Sequence, residues 1–598
     1  MKKEVDGFYE RPSIQPLDIR ERDTSLPLVP MVTVLQVKYE NGKVDKPKCR
    51  ICPNGSVIPD EFNGDTYAPA PAISSVRTFA ADAARNMYAH GYPPPEKDDV
   101  EMAYLNAKLP NEMQYYMFPS KAAKYARMTF EELLEARDTL LEQYNNDRPA
   151  FIRESRNIID HESTEIWKAL VAIYGHCPAG KLWHDDAEKT LVEKLHMTPL
   201  VTEPCIYYKV IDHDADPASP PSAKYGKCEP GAKLQLDIVK PGNAGKPGQV
   251  RIIEVCKLTD DFAWSGDPIL NDWFSTALAN AYKTRGRSPI DYYLGLRWEI
   301  KGYRIGLSSP DQCDKIARQF GPDLPKVSAE DLPAEHGTEL HEATDEEFES
   351  AKSKPYASLC GALLYVTRAT KPAEYGYVHH LTRYMAKWGM KHWKMACRVA
   401  ACIIRDRDEA IWFDGSISDR LVTFSDASYL GIKSVGCMMI FRNGGPIQWH
   451  IIRLGAQYLN STFSCELKIA AELATRAEGL HDQNMETPGG IETNEPSQQW
   501  TDNKAAFNVA TKPGSLSDIS RHLVKDCISL RGRIANREPI LGWCSTKEMI
   551  ADLGTKFPRK PQYDYLKARV RGVERSSFFH NLRIPGADET TTQDGHTI

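Results

Sequence analysis

A chain of 598 residues and 67.3 kDa is too long for a single hydrophobic core, and its length implies roughly three to five domains. Its 41% hydrophobic and 26% charged residues are ordinary globular proportions, which excludes wholesale disorder. A net charge of −6 with pI ≈ 6.3 excludes a uniformly basic nucleic-acid binder, yet nine acids stand between Glu330 and Glu349 without a Lys or Arg, so the rest of the chain is slightly positive.

The N-terminal MKKEVDGFYERPSIQ has no apolar run behind its lysines, and no stretch approaches the roughly 18 apolar residues of a membrane helix. The expectation is a soluble intracellular protein, cytoplasmic or nuclear, without a signal peptide, a transmembrane segment or a membrane partner. Fourteen scattered cysteines fit reduced, buried thiols. Cys49 and Cys52 form a lone CxxC with no second ligand pair at finger-like spacing, which disfavours zinc.

Along the chain, MVTVLQVKY reads as a strand. TFEELLEARDTLLEQY reads as a helix opened by Thr129 and Glu132 at capping-box spacing. Residues 212–248 turn rich in Pro, Gly, Ala and Lys, predicting a long loop or insertion, before the strand-like RIIEVCKL. The acidic stretch within 326–354 predicts a solvated linker. A helical block runs from Pro355 to about Arg407, a block of mixed strands and helices from Leu421 to Pro558, and a basic then polar tail over 559–598.

Two groups of acids suggest chemistry. In-line phosphoryl transfer with two divalent ions needs carboxylates from separate segments. Asp99 precedes an apolar-rich segment in KDDVEMAYLNAKLP, and Asp260 and Asp261 follow the strand RIIEVCKL. Adjacent strand side chains point to opposite faces, so both of the latter can serve one site only at a hairpin turn. Asp98 and Asp185–Asp186 are further acids in such pairs, and solvated turns account for most of them. The C-terminal block offers Asp426 at the end of the strand-like RLVTFSDASYLG, and Glu466 opening a helix with Leu467, Ala470, Ala471 and Ala474 on one face. It also offers Asp502 at a strand-to-helix junction and Asp552 in CSTKEMIADLGTKFP.

The order of the motifs is informative. PKCRICPNG, DTYAPAPAISSVRTFAADAA, DVEMAYLNAKL, ALVAIYGHCPAGKLWHD, EPCIYY, LTDD and DYYLGLRWEI resemble, in sequence order, the KARLV-x-x-G, FAPV, DV-x-x-AFLNG-x-L, LYGLKQ, DPCLY, YVDD and FLG segments of copia-type LTR retrotransposon reverse transcriptases. KPYASLCGALLYVTRATKP resembles the same family's connection segment. SDA, SCELK, DNKA and ADLGTK resemble its ribonuclease H motifs over about residues 420–558.

The resemblance implies an α+β / α/β multidomain chain. Fingers, palm and thumb of a right-hand polymerase would span 1–325, a connection 355–420 and a ribonuclease H-like domain 421–558. It implies an RNA-directed DNA polymerase and a ribonuclease H working on RNA template, DNA primer, dNTPs and RNA–DNA hybrid, with two Mg2+ ions, or Mn2+, per site. Carried over residue by residue, it makes Asp99 and Asp260 the principal metal ligands of the polymerase and Asp261 the third carboxylate. Asp426, Glu466, Asp502 and Asp552 become those of the nuclease, with His522 either aiding turnover or standing as a plain surface histidine. Aligning Glu466 rather than Lys468 with the catalytic glutamate keeps Glu472 on a later family acid.

Lys48, Arg50 and Arg77 fall at positions implied to meet the triphosphate, the alternatives being exposed cations for the first two and a structural ion pair for Arg77. From Arg383 to Arg398 five basic residues alternate with Tyr384, Trp388 and Trp393, and a second basic cluster runs from Lys556 to Arg575. Either could track a duplex, and the first could equally be an amphipathic helix with its rings inward.

Three departures stand out: Pro178 replaces the glutamine of LYGLKQ, and Leu258 and Thr259 replace tyrosine and valine of YVDD. They leave a second reading open, a decayed or domesticated remnant that binds RNA or hybrid without extending it. Protease, integrase and zinc-knuckle motifs are not seen, so the expectation is a polyprotein fragment or a gene derived from one.

Overall fold

The computed structural model describes residues 8, 13–40, 43–119, 165–221, 236–429, 434–455, 461–487, 497–512, 521–536 and 539–573. The expected helix at Thr129 and the middle of the expected insertion lie outside these residues. Among the described residues no helix is long and apolar enough to cross a membrane.

The architecture of the described residues is mixed α and β, built on four sheets. The N-terminal sheet runs in the order Ile14–Asp18, Glu165–Ala169, Tyr116–Phe118, Leu28–Glu40, Lys43–Pro53, its last two strands forming a long antiparallel hairpin. A central sheet has Gln249–Leu258 in its middle, flanked by Asp261–Gly266 and Ile206–Asp212, with Glu96–Asp99 beyond Asp261–Gly266.

The apolar run in Gln249–Leu258 is buried on both faces because helices cover both. Ile252 and Cys256 share a core with Val76, Phe79 and Ala80 of the helix Ile73–Ala89. Ile253 and Val255, pointing the other way, share one with Trp183 of Ala179–Lys189 and Phe274 of Pro268–Ala281. A small third sheet joins Leu296–Lys301 and Arg304–Ser308 to Ile411–Asp414, and helices between Pro310 and Arg405 pack over it.

The C-terminal sheet has the order Gly445–Arg453, Val435–Arg442, Val422–Ser428, Gln498–Thr501, Ile540–Trp543. The first three are antiparallel and the last two run parallel to Val422–Ser428. The helix Thr462–Glu486 lies against it, with Ile469 and Leu473 in the main core and Leu467, Ala470 and Ala474 in a separate one.

The helix Ile73–Ala89 joins the central and C-terminal sheets. Its sequence, ISSVRTFAADAARNMYA, presents small residues that allow close approach. At Gly415 a Cβ would stand 2.0 Å from the Ala84 carbonyl oxygen, so only glycine fits there. Along this seam Arg442 meets Asp82 at 2.6 Å, with Arg442 completely buried, and Arg85 lies 3.5 Å from Asp419.

One expectation changes on folding. The acidic segment does not run free in solvent. Leu332, Ala334, Leu340 and Ala343 are buried, Arg398 holds Asp331 and the Leu332 carbonyl, and Thr344 with Glu347 forms a capping box on the helix Asp345–Ala351. Its apolar residues, spaced among the acids, had an apolar surface to cover. For the first basic cluster the alternative with its rings inward holds: Tyr384, Trp388 and Trp393 are buried, and Trp388 stacks on Tyr356 at 4.7 Å. They are core, and only the lysines of that cluster face outward.

Candidate active sites

The first acidic centre grows from one tight turn. Leu258 pairs with Asp261, so Thr259 and Asp260 form the two-residue loop of a hairpin, and Thr259 takes a left-handed φ of 49°. Trp183, wholly buried, donates its indole N–H to the Thr259 carbonyl at 2.6 Å and braces the turn. On the other side Asp261 is the register partner of Asp99, and the Val100 amide donates to the Asp260 carbonyl at 2.8 Å. Three acids from two segments thus meet at one end of the sheet.

Their mutual repulsion is legible in Asp261. Burial first, then the charges of Asp260 and Asp99, push its carboxyl up to about 6. Excess negative charge of this kind is what a bound cation would offset, but the three carboxylates do not bring ligand atoms within 4.8 Å of one another, as those of the second centre do. Arg285 supplies part of the offsetting charge, its guanidinium lying 2.8 Å from an Asp99 oxygen and its amide donating to the Asp99 carbonyl.

The competing acids are accounted for. Asp98 is turned inward and accepts from the amides of Asp99 and Gly286, Asp185 pairs with Lys181, and Asp186 accepts from the Tyr282 hydroxyl.

Around the turn, Tyr104 stacks on Tyr174 with ring centroids 4.3 Å apart, and Arg50 lies over the Tyr174 ring at 4.6 Å. Burial and then the Asp260 charge raise the Tyr104 hydroxyl above its ordinary value, which sets that ring beside the acids. Arg50 therefore approaches the centre through two aromatic rings. Lys48 belongs to the strand Lys43–Pro53, and its side chain lies outside the described residues.

Arg77 departs from both of its expected roles. At 3% exposure it donates to the carbonyls of Ile447, Arg368 and Ala369 and stacks on Trp449 at 3.9 Å, so its cation is spent within the seam between sheets. A helix bearing arginine on its apolar face gave no sequence signal for this, because the acceptors are some 290 or more residues distant. Pro178 stands at the N-cap of Ala179–Lys189, its carbonyl accepting from Leu182, on the same helix that carries Trp183.

The second centre lies at one end of the C-terminal sheet. Asp426 lies near the end of the buried part of Val422–Ser428, Glu466 comes from the first turns of Thr462–Glu486, and Asp502 follows Gln498–Thr501. Each offers a ligand atom within 4.8 Å of the others. Asp426 is 1% and Glu466 3% exposed, and Glu466 Oε2 has no hydrogen-bond partner among the described residues. A buried, unpartnered carboxylate oxygen between two more carboxylates fits a cation.

Burial and then the charges of Asp426 and Asp502 raise Glu466 well above the usual range, and Asp502 rises from burial and Asp426. Asp552, pushed up to about 8 by burial and then Asp426, sits behind Asp426. Lys556 bridges the two, at 2.6 Å from Asp552 and 3.2 Å from Asp426, while the Thr555 hydroxyl also donates to Asp426. Asp502 is steadied by the Thr546 hydroxyl at 2.9 Å and by Trp543, which donates to its carbonyl. Lys468 turns instead toward Glu472 and Asp526. His522 belongs to the helix Arg521–Ala535, and its side chain lies outside the described residues.

The second basic cluster is largely matched by acids: Lys560 by Asp564, Lys567 by Glu374, Asp406 and Glu409, and Arg571 by Glu409. A third group, His184, Asp185 and Glu188, has metal-like proximity. Two lysines fill it, Lys257 at 2.9 Å from His184 Nδ1 and Lys181 on Asp185, so it is a compensated helix face.

Sequence reasoning missed Arg285, and it placed Lys556 in a basic cluster rather than at the acidic centre. The i,i+4 spacing from Asp552 to Lys556 was a usable signal. Arg285 had none, because only the fold brings its loop to Asp99.

No protein-family model matches the chain. Among solved structures it is similar to a foamy viral protease-reverse transcriptase "dRH" in complex with double-stranded DNA, at 11% identity over 91% of this chain and 68% of that one, with a TM-score of 0.45. It is likewise similar to the foamy viral protease-reverse transcriptase in complex with double-stranded DNA, at 11% identity over 91% and 81%, with a TM-score of 0.44. Likenesses this distant do not bear on which residues perform chemistry.

Proposed function

We propose that the chain is an RNA-directed DNA polymerase joined to a ribonuclease H, of the copia retrotransposon type. Its fingers, palm and thumb would lie within 1–325 and its nuclease within 421–558. The observation that carries this reading is the presence of two separate carboxylate centres, Asp99 with Asp260 and Asp261, and Asp426 with Glu466 and Asp502, each held at the end of a different sheet. Three antiparallel strands followed by two parallel ones, with an acid-bearing helix across them, support the nuclease assignment.

Asp99, Asp260 and Asp261 would hold Mg2+ for nucleotidyl transfer, and Asp426, Glu466 and Asp502 would hold it for hydrolysis of the RNA strand. When bound, such an ion polarises phosphoryl oxygens and lowers the pKa of an attacking water or hydroxyl. The chain's own residues do the positioning. Trp183 fixes the turn that presents Asp260, Tyr104 and Tyr174 wall the space between the acids and Arg50, and Thr546 orients Asp502. RNA template, DNA primer, hybrid duplex and dNTPs are the partners of this reading.

Separate centres make a separable test. Asp99→Asn is expected to abolish primer extension and spare hybrid cleavage, and Asp502→Asn to do the converse. Extension surviving Asp99→Asn would overturn the polymerase assignment. A second reading, a remnant that binds hybrid without extending it, is favoured by Pro178, Leu258 and Thr259 at positions where the resembled family has other residues. Primer extension by the unaltered chain on a defined RNA template decides between them.

A further inference from the structure

Building on the nuclease reading, we propose that the Lys556 ammonium is a resident cation of the second centre. It stands between Asp426 and Asp552 in place of a second divalent ion, so that this centre takes one divalent ion, held by Asp426, Glu466 and Asp502.

The geometry divides the four acids into two pockets that share Asp426. Asp426, Glu466 and Asp502 converge within 4.8 Å, with Glu466 Oε2 unpartnered, and no basic nitrogen is recorded on Glu466 or Asp502 within ion-pair distance among the described residues. The pocket between Asp426 and Asp552 already holds Lys556 Nζ, at 3.2 and 2.6 Å. A magnesium ion there would sit about 2.0–2.1 Å from the same oxygens. It would collide with the ammonium and repel it across a short, poorly screened distance. Charge points the same way: two divalent ions plus an ammonium would exceed the charge of four carboxylates, three of which are almost wholly buried.

Lys556 is held in place by its backbone. Its amide donates to the Asp552 carbonyl at 2.8 Å, and the turn that precedes it is clamped onto the strands bearing Asp426. At Gly554 a Cβ would stand 2.3 Å from the sulfur of Cys437, the residue directly opposite Asp426 in the ladder. Leu553, wholly buried, anchors the other side. The Lys556 side chain is 42% exposed along its length, while its ammonium turns back onto the two carboxylates from a turn that keeps both within reach.

An ammonium compensates charge and donates hydrogen bonds, but it cannot coordinate a water as a Lewis acid. The centre therefore resembles a single-ion hydrolase in its metal demand, with Lys556 as its charge-compensating residue.

The test is Mn2+ binding to the full chain carrying Asp99→Asn and Asp260→Asn, which silences the first centre, read by electron paramagnetic resonance and calorimetry. One Mn2+ is expected, lost on adding Asp502→Asn. Lys556→Met is expected to bind two, and Lys556→Arg to remain at one. Two ions in the Lys556-containing chain, or one in a folded Lys556→Met, overturns the proposal. If Lys556→Met fails to fold by circular dichroism, the count in the Lys556-containing chain decides alone. No Mn2+ sensitive to Asp502→Asn would instead overturn the nuclease reading itself, so the two failures are distinguishable.

Discussion

The buried pair between Asp82 and Arg442 sets the geometry between the two centres, and Arg442→Met tests that. Arg442 is completely buried and lies 2.6 Å from Asp82, which is 2% exposed, on a helix packed against the central sheet. Burial is the main cause pushing the Asp82 carboxyl up, and Arg442 is the main group pulling it down. Asp419 and Glu254 add negative charge nearby, and burial together with Asp82 already holds Glu254 well above the usual carboxylate range.

Removing the guanidinium leaves Asp82 with a buried charge or an enforced proton, a loss of about 3–5 kcal/mol for a pair of this burial. Asp82→Asn with Arg442→Met removes the charge as well as its partner and is expected to cost less than the sum of the single changes. Chemical denaturation of the four chains gives the cycle. Mapping of RNA cuts against the primer end gives the functional half, because a loosened seam should scatter cut positions while leaving both chemistries intact. A cost below about 1 kcal/mol for Arg442→Met with unscattered cuts would refute the role assigned to the seam.

The raised carboxyls predict a pH dependence. Groups whose folded pKa exceeds the unfolded value near 4 stabilise most at low pH and lose that contribution as pH rises through the folded values, about 6 for Asp261 and about 8 for Asp552. With divalent ions chelated, stability should fall between about pH 4 and pH 8 by a few kcal/mol, and Mg2+ should flatten the decline. Equal slopes with and without Mg2+ in equilibrium unfolding over the range in which Asp261 titrates would count against a metal at the first centre.

Pro178→Gln should recover part of a roughly ten- to hundredfold deficit in nucleotide incorporation, seen as a lowered KM for dNTP, since proline can donate no hydrogen bond there. Ordinary efficiency in the unaltered chain, unchanged by the substitution, would place that contact elsewhere. Lys391 and Lys394 are exposed on the helix Met390–Arg405, and changing both to glutamine should flatten the log–log salt slope of duplex affinity by about two units, an unchanged slope removing them from the interface.

Local chemistry was readable from the sequence alone. Strand alternation and the adjacency of Asp260 and Asp261 required a hairpin, and Leu258 does face Asp261 across a two-residue turn. The spacing of Leu467, Ala470 and Ala474 required a helix with Glu466 at its start, and the structure brings that acid to Asp426 and Asp502. These are consequences of periods of 2 and 3.6 residues, which the sequence carries in every short window.

What the tertiary structure decided was the fate of each cation and ring, because that depends on partners hundreds of residues away. Arg77 had the composition of a phosphate ligand and became the clasp of a seam, since the carbonyls of Arg368, Ala369 and Ile447 and the ring of Trp449 were assembled around it. Trp388 and Trp393 lay among lysines and went inward because burying an indole outweighs leaving it in water. Arg285 and Lys556 reached Asp99 and Asp426 only when loops closed over distant strands. A residue's periodicity is local and survives in the sequence, whereas electrostatic compensation is a property of three-dimensional neighbours and appears only once the chain has folded.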